Sequence, residues 1–234
     1  MKLGSLFDGS GTFPLAARMM GIEPVWASEV EAYPIKVTTK NFPNMKHLGS
    51  ILDINGAEIE PVEIITGGSP CQDLSVAGRR DGIIEGKRSS LFFEQIRVIR
   101  EMREHDKSIG RTDVNVRPRF CIWENVPGAR NSGKPKGADF REVLQAFVNL
   151  CEEGCTVPLP AKWETDGVLE GNGWSIAWTE LDAQDWVPQR RKRVYLVADL
   201  GGNRAAELLL ERKGLHGNYQ PSGAAWEGFT DYVT

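Results

Sequence analysis

Residues 62–73 read Val62-Glu63-Ile64-Ile65-Thr66-Gly67-Gly68-Ser69-Pro70-Cys71-Gln72-Asp73. The first five form a short β-branched run closed by glycine and proline, which predicts a buried strand. Two glycines then let the backbone turn sharply. Pro70 fixes its own φ and keeps Ser69 extended. A strand end thus presents one thiol, Cys71, on a stiff loop. A cysteine there serves either as a small buried apolar group or as a nucleophile at the carboxyl edge of a sheet, where α/β proteins bind their ligands.

Working outward, strands and helices alternate. Residues 2–7 predict a strand, Asp8-Gly9-Ser10-Gly11-Thr12 a tight turn, and residues 13–20 a helix stopped by Gly21. A second strand over 24–28 ends at Glu29, and a helix follows over 32–41. Residues 47–54 predict a short strand and turn. Downstream, residues 74–88 form a long loop rich in Gly, Arg and Asp, of the kind kept for function. Ser89 or Ser90 caps a helix over 91–103, and residues 104–117 read as an exposed loop. A strand over 119–123 precedes a helix over 138–153, with Phe140, Val143, Leu144, Phe147 and Leu150 on one face. Residues 158–172 read as a loop, 174–181 and 194–198 as strands, and 204–212 as a last helix. Such alternation predicts an α/β fold with a largely parallel sheet.

With 234 residues the chain can bury one sizeable core. No apolar run approaches a membrane span, and the N-terminus lacks a signal-peptide apolar region, so a cytoplasmic protein is expected. Cys71, Cys121, Cys151 and Cys155 make no disulfide framework. Cys151 and Cys155 have helical spacing but no nearby histidine, and no metal site is expected. Net charge is −4, so a polyanion must be met by a local basic face. Candidates are Arg79-Arg80, Lys87-Arg88, Lys134 with Lys136, and Arg190-Arg191-Lys192-Arg193.

Three further stretches carry chemistry. Gly9 and Gly11 join a strand to a helix, and Glu29 ends the next strand; the set is either a plain turn with a surface carboxylate or an adenosine site. Glu124 follows the apolar strand Phe120-Cys121-Ile122-Trp123 and is a candidate acid/base group. In Gln189-Arg190-Arg191-Lys192-Arg193, strand alternation would turn Gln189, Arg191 and Arg193 one way, with Arg190 and Lys192 the other.

Together, in order and spacing, these stretches resemble the DNA (cytosine-5) methyltransferase family over residues 1–200. Phe7-x-Gly9-x-Gly11, Ser28-Glu29 with Asn41-Phe42, and Gly49-Ser50-Ile51 look like its first motifs. Gly67-Gly68-Ser69-Pro70-Cys71-Gln72 through Ser75 resembles its nucleophile loop, followed by Arg88, Leu91 and Phe92. Glu124-Asn125-Val126 and Gln189-x-Arg191-x-Arg193 match the rest; the Asp-Leu-Ser and Pro-Gly-Ala neighbours look like phage and prophage members. The resemblance implies a Rossmann-like S-adenosylmethionine-dependent methyltransferase fold, mostly parallel with helices on both faces. It implies Cys71 as nucleophile at cytosine C6, Glu124 at the ring N3 and amine, and Arg191 and Arg193 in support.

The same resemblance assigns the cofactor to Phe7, Gly9 and Gly11, to Glu29 and Val30, to Ser50 and Ile51, and to Pro70 and Leu91. Double-stranded DNA falls to Gln72, Ser75, Arg79, Arg80, Arg88 and Gln189, with the base flipped out of the helix. Ser50 stands where many members carry Asp, and Thr12 where Gly is common. Residues 1–200 are then the catalytic and cofactor-binding domain, and 201–234 the start of a truncated or divergent segment: a fragment, one half of a split enzyme with a complementing C-terminal chain, or an unusually small relative. The role implied is restriction–modification or protection of phage from restriction, in a bacterial or phage-infected cell. The alternatives are RNA cytosine methylation, or a cofactor- or DNA-binding module without turnover.

Overall fold

A computed structural model describes residues 1–70 and 91–210. Cys71, Gln72, Ser75, Arg79, Arg80 and Arg88, the loop over 74–88 and the segment after 210 lie outside the described residues.

The described chain runs β1 (Lys2–Leu6), α1 (Thr12–Met19), β2 (Glu23–Ser28), α2 (Ala32–Asn41), β3 (Lys46–His47), β4 (Ile64–Gly67), α3 (Leu91–Ser108), β5 (Phe120–Asn125), α4 (Ala138–Val148), β6 (Gly167–Gly171), β7 (Trp174–Asp182), β8 (Lys192–Asp199) and α5 (Ala205–Leu209). One sheet takes the order β3-β2-β1-β4-β5-β8-β7-β6. From β3 to β5 all neighbours are parallel, whereas β5–β8, β8–β7 and β7–β6 pair antiparallel. Only β6 and β8 therefore oppose the rest. The start of β8 consequently arrives at the edge where the parallel strands end.

Alternation along β5 assigns the two faces. Cys121 and Trp123 enter the main core with Phe92, Ile96 and Ile99 of α3 and Phe140, Leu144 and Phe147 of α4. Ile122 turns the other way, toward clusters holding Ala17 of α1 and Ala205 of α5. Helices cover both faces. Edge-to-face contacts of Phe140 with Trp163 and Trp178, centroids 5.3 and 5.7 Å apart, close the core at the β7 end. Each such ring, fully buried, stabilises by about 1.5–3 kcal/mol.

Three expectations need correction. Helix α3 runs to Ser108 instead of ending at Arg103, because Arg103 and Asp106 are buried and tied down: Arg103 donates to Pro118 O at 2.6 Å, and Asp106 accepts from Arg117 at 2.9 Å. Helix α4 stops at Val148, where Gln145 folds back to accept from Val157 N at 2.8 Å, so Cys151 and Cys155 share no helix. Strand β6 forms inside the expected 158–172 loop, its glycines opposite tryptophans: Gly167 pairs with Trp178 and Gly171 with Trp174.

Candidate active site

The parallel strands end in the loops that carry the candidate residues. At the end of β1, Phe7 takes φ 54°, a left-handed conformation rare outside glycine. Gly9 and Gly11 follow at φ 56° and 85°, and Gly11 N closes the turn on Asp8 O at 3.2 Å. A side chain on Gly11 would meet Thr38 at 2.8 Å. At the end of β2, Glu29 accepts from Gly9 N at 2.8 Å and from Val30 N at 2.7 Å. The carboxylate thus braces the glycine turn directly. Val30 beside it is two-thirds exposed, an apolar face turned to solvent. Ser50 accepts from Leu52 N at 3.2 Å and caps the short turn Ile51–Asp53, with Ile51 buried beneath.

The sequence reading missed Asp8. Its carboxyl group is 6 % exposed, and neither oxygen forms a hydrogen bond. Burial pushes it up to about 6, the nearby Ser5 hydroxyl pulls the other way, and the Glu29 charge adds to the rise. The signal was an acidic residue inside a glycine turn straight after a buried strand.

At the end of β5, Glu124 meets residues from two other stretches of the chain. Arg193 Nε, at the start of β8, lies 2.9 Å from its Oε1, and Arg191 Nη2, from the residue just before β8, lies 3.6 Å away. A Cβ built on Gly68 would stand 3.1 Å from Glu124 Oε2, so the chain leading to Cys71 passes against this carboxylate. The neighbours of Glu124 fix that passage. Trp123 Nε1 donates to Ser69 Oγ and Asn125 Nδ2 to Ser69 O, each at 3.2 Å. These two clamps were not foreseen. Pro70, the last residue described before Cys71, is exposed.

Arg191 and Arg193 do share a side, as expected, and Lys192 takes the other, 3.7 Å from Glu180. Gln189 is corrected: β8 begins at Lys192, so Gln189 sits in an exposed turn, its N–H on Val187 O at 2.6 Å. Leu91 opens α3, half-buried against the main core. Burial, and next the Glu124 charge, raise the Tyr195 phenol opposite it on β8. Among the described residues no group of three or more His, Cys, Asp or Glu is placed to hold a metal.

Residues 1–151 match the family model for C-5 cytosine-specific DNA methylases. The chain belongs to that family. A DNA N-6-adenine-methyltransferase of Escherichia phage P1 is 29 % identical over 93 % of this chain and 31 % of its own. An orphan methyltransferase of Bacillus phage rho11s is 33 % identical over 84 % of this chain and 32 % of its own. A type II methyltransferase of Haemophilus parahaemolyticus is 28 % identical over 84 % and 48 %. The chain therefore spans between about a third and a half of the length of such relatives. The fold is shared with the Schizosaccharomyces pombe Dnmt2 methyltransferase, TM-score 0.51 at 15 % identity over 87 % of this chain and 50 % of that one. It is shared too with a prophage-encoded Escherichia coli protein described as a DNA modification methyltransferase, TM-score 0.53 at 19 % identity over 85 % and 46 %.

C5 methyltransferases of this family use S-adenosylmethionine. The residues of this chain fit that group. Asp8 leaves a buried acidic group without a partner, as a cationic amine would require. Gly9 and Gly11 keep the backbone bare beside it, and Glu29 carries acceptor oxygens at the same edge.

Proposed function

We propose that the chain methylates C5 of cytosine in double-stranded DNA, with Cys71 as nucleophile. One observation carries this reading: Glu124 is held between the root of the Cys71 loop and two arginines at the entry to β8. S-adenosylmethionine, when bound by the Asp8, Gly9, Gly11 and Glu29 edge with Val30, Ser50 and Ile51 beside it, supplies an electrophilic methyl group.

The chain's own residues do the rest. A cytosine turned out of the duplex enters above the carboxyl edge. The Cys71 thiolate bonds to C6, and electron density moves to C5, a poor nucleophile until then. Glu124 binds the exocyclic amine and N3, and its pairing with Arg193 fixes which way its oxygens face. Arg191 and Arg193 favour a thiolate close by. After C5 is methylated a base takes the C5 proton, the C6–sulfur bond breaks, and Cys71 returns as thiolate. Gln72, Ser75, Arg79, Arg80, Arg88 and Gln189 are the DNA contacts in this reading. The role is methylation within a restriction–modification system or protection of phage DNA, in the cytoplasm of a bacterial or infected cell. Residues 1–200 act as the catalytic domain.

The test uses duplex DNA carrying 5-fluorocytosine, with S-adenosylmethionine, and with the recognition region of a relative added as a separate chain. Fluorine at C5 cannot leave as a proton, so the Cys71–C6 bond persists. A covalent adduct lost in Cys71→Ala is expected; no adduct under either condition refutes the mechanism. The adenine-methylating name of the phage P1 relative makes product analysis part of the assay. 5-Methylcytosine is expected and N6-methyladenine is not. Transfer RNA offered in competition separates the RNA reading.

A further inference from the structure

A second feature of the carboxyl edge takes no part in the chemistry above. Pro127–Asn131 forms a short 3-10 turn straight after β5, and beside it opens a cleft of about 180 Å³. Arg130, Asn131, Lys136, Gly137, Lys162 and Trp163 line it. Arg130 is 8 % exposed; it donates to Glu164 O at 2.9 Å and to Glu180 at 2.5 Å, while its Nε has no acceptor. Lys136 and Lys162 are exposed, and neither forms an ion pair among the described residues.

The lining decides the class of ligand. Three cations around a small opening repel a metal ion and attract an anion. The carboxylate that Arg130 pairs with, Glu180, is also 3.7 Å from Lys192. The Trp163 ring is 5 % exposed, packed edge-on against Phe140 and Trp178, with its Nε1 on Gly137 O at 2.9 Å, so it offers no face for a base to stack on. The volume is well below the roughly 300 Å³ at which small-molecule pockets begin. A single phosphate-sized group fits these limits.

The position decides its source. From the cleft, Arg130 reaches Glu180, Glu180 reaches Lys192, and the next residue, Arg193, lies 2.9 Å from Glu124. The cleft and the base-binding carboxylate are thus two faces of one sheet at the same edge. We propose that the cleft seats a backbone phosphate of the DNA strand that flanks the target base. This rests on the DNA-methylating reading above. Arg130, rigid and buried, shapes the seat, and Lys136 with Lys162 supply the mobile charge.

The experiment titrates a labelled duplex with the full chain across a sodium chloride series. The double variant Lys136→Gln/Lys162→Gln is set against Lys40→Gln/Lys107→Gln, exposed lysines in the last turns of α2 and α3 at the opposite edge. All four are surface side chains, so folding is preserved. For the cleft variant, affinity about tenfold weaker and a log–log salt slope smaller by about 1–2 are expected, with the control unchanged. Equal behaviour of the two variants, whether both weakened or both like wild type, overturns the cleft and leaves the methylation reading standing if wild type binds DNA and traps. A wild-type chain that forms a 5-fluorocytosine adduct yet loses nothing in the cleft variant has the same meaning. Failure of wild type both to bind DNA and to trap overturns both proposals.

Discussion

Asp8 is the residue whose chemistry is least like its surroundings. A folded-state value of about 6 lies above the ordinary carboxylate value of 3.8, so the native state holds a proton that the unfolded chain releases. Stability linked to Asp8 is therefore full below about pH 4 and lost as pH rises through 6. The loss is on the order of 2–3 kcal/mol. In Asp8→Asn that loss is absent: without cofactor, the variant should match wild type in urea near pH 4 and exceed it above pH 6. With S-adenosylmethionine that advantage narrows by about 1.4 kcal/mol, because the variant lacks the charge that an amine would pair with; roughly tenfold weaker binding by calorimetry is expected. Parallel pH curves for the two proteins would remove Asp8 from the site. Sequence alone shows Glu29 and the glycines because their types and spacing are tied to strand ends. It does not show that Asp8 points inward, since that depends on Phe7 adopting a left-handed turn.

At the scale of elements, one device recurs. A tryptophan lies over a glycine on the neighbouring strand: Trp26 over Gly4, Trp178 over Gly167 and Trp174 over Gly171, where a Cβ would come within 2.0, 2.0 and 2.2 Å of the ring. Gly4 sits in β1 between β2 and β4 and cannot shift, whereas β6 is an edge strand. Gly4→Ala should therefore cost about 3 kcal/mol or more in urea titration, and Gly171→Ala clearly less. The same device explains where sequence reading stopped. Strands β1, β2, β4, β5, β7 and β8 were visible as apolar runs, but Gly167-Val168-Leu169-Glu170-Gly171 has glycine at both ends and reads as a loop. Its partner's rings, not its own side chains, make it a strand. Likewise α3 outlasts its expected end because Asp106 finds Arg117, a pairing with no local signature.

For the whole molecule, the join between β5 and β8 matters most, because parallel and antiparallel halves of the sheet meet there. Arg119 at the foot of β5 grips Asp199 at the end of β8 through two hydrogen bonds of 2.8 and 2.9 Å. Burial alone would raise the Asp199 carboxyl, but Arg119 and the Arg204 and Gly201 N–H groups hold it below the ordinary range. Its stabilisation is thus present above about pH 4 and lost as pH falls further. Asp199→Ala should cost about 2–4 kcal/mol at pH 7. Tryptophan fluorescence and far-UV circular dichroism should shift together, since one core cluster runs from Leu6 to Leu200. Separate shifts would mean that the two halves unfold independently.

The reversed direction of β8 also orders events during synthesis. When Glu124 leaves the ribosome its strand has one open edge, and the arginines that complete its surroundings are about seventy residues away in the chain. Until β8 arrives, the nascent sheet carries unpaired N–H and C=O groups along β5, a template for joining to another chain. Insertion of β8 closes that edge and brings Arg191 and Arg193 to Glu124 in a single step. A chain still able to aggregate through β5 is therefore one whose carboxylate is not yet aimed, and the finished Glu124 cluster arrives together with protection from misassembly.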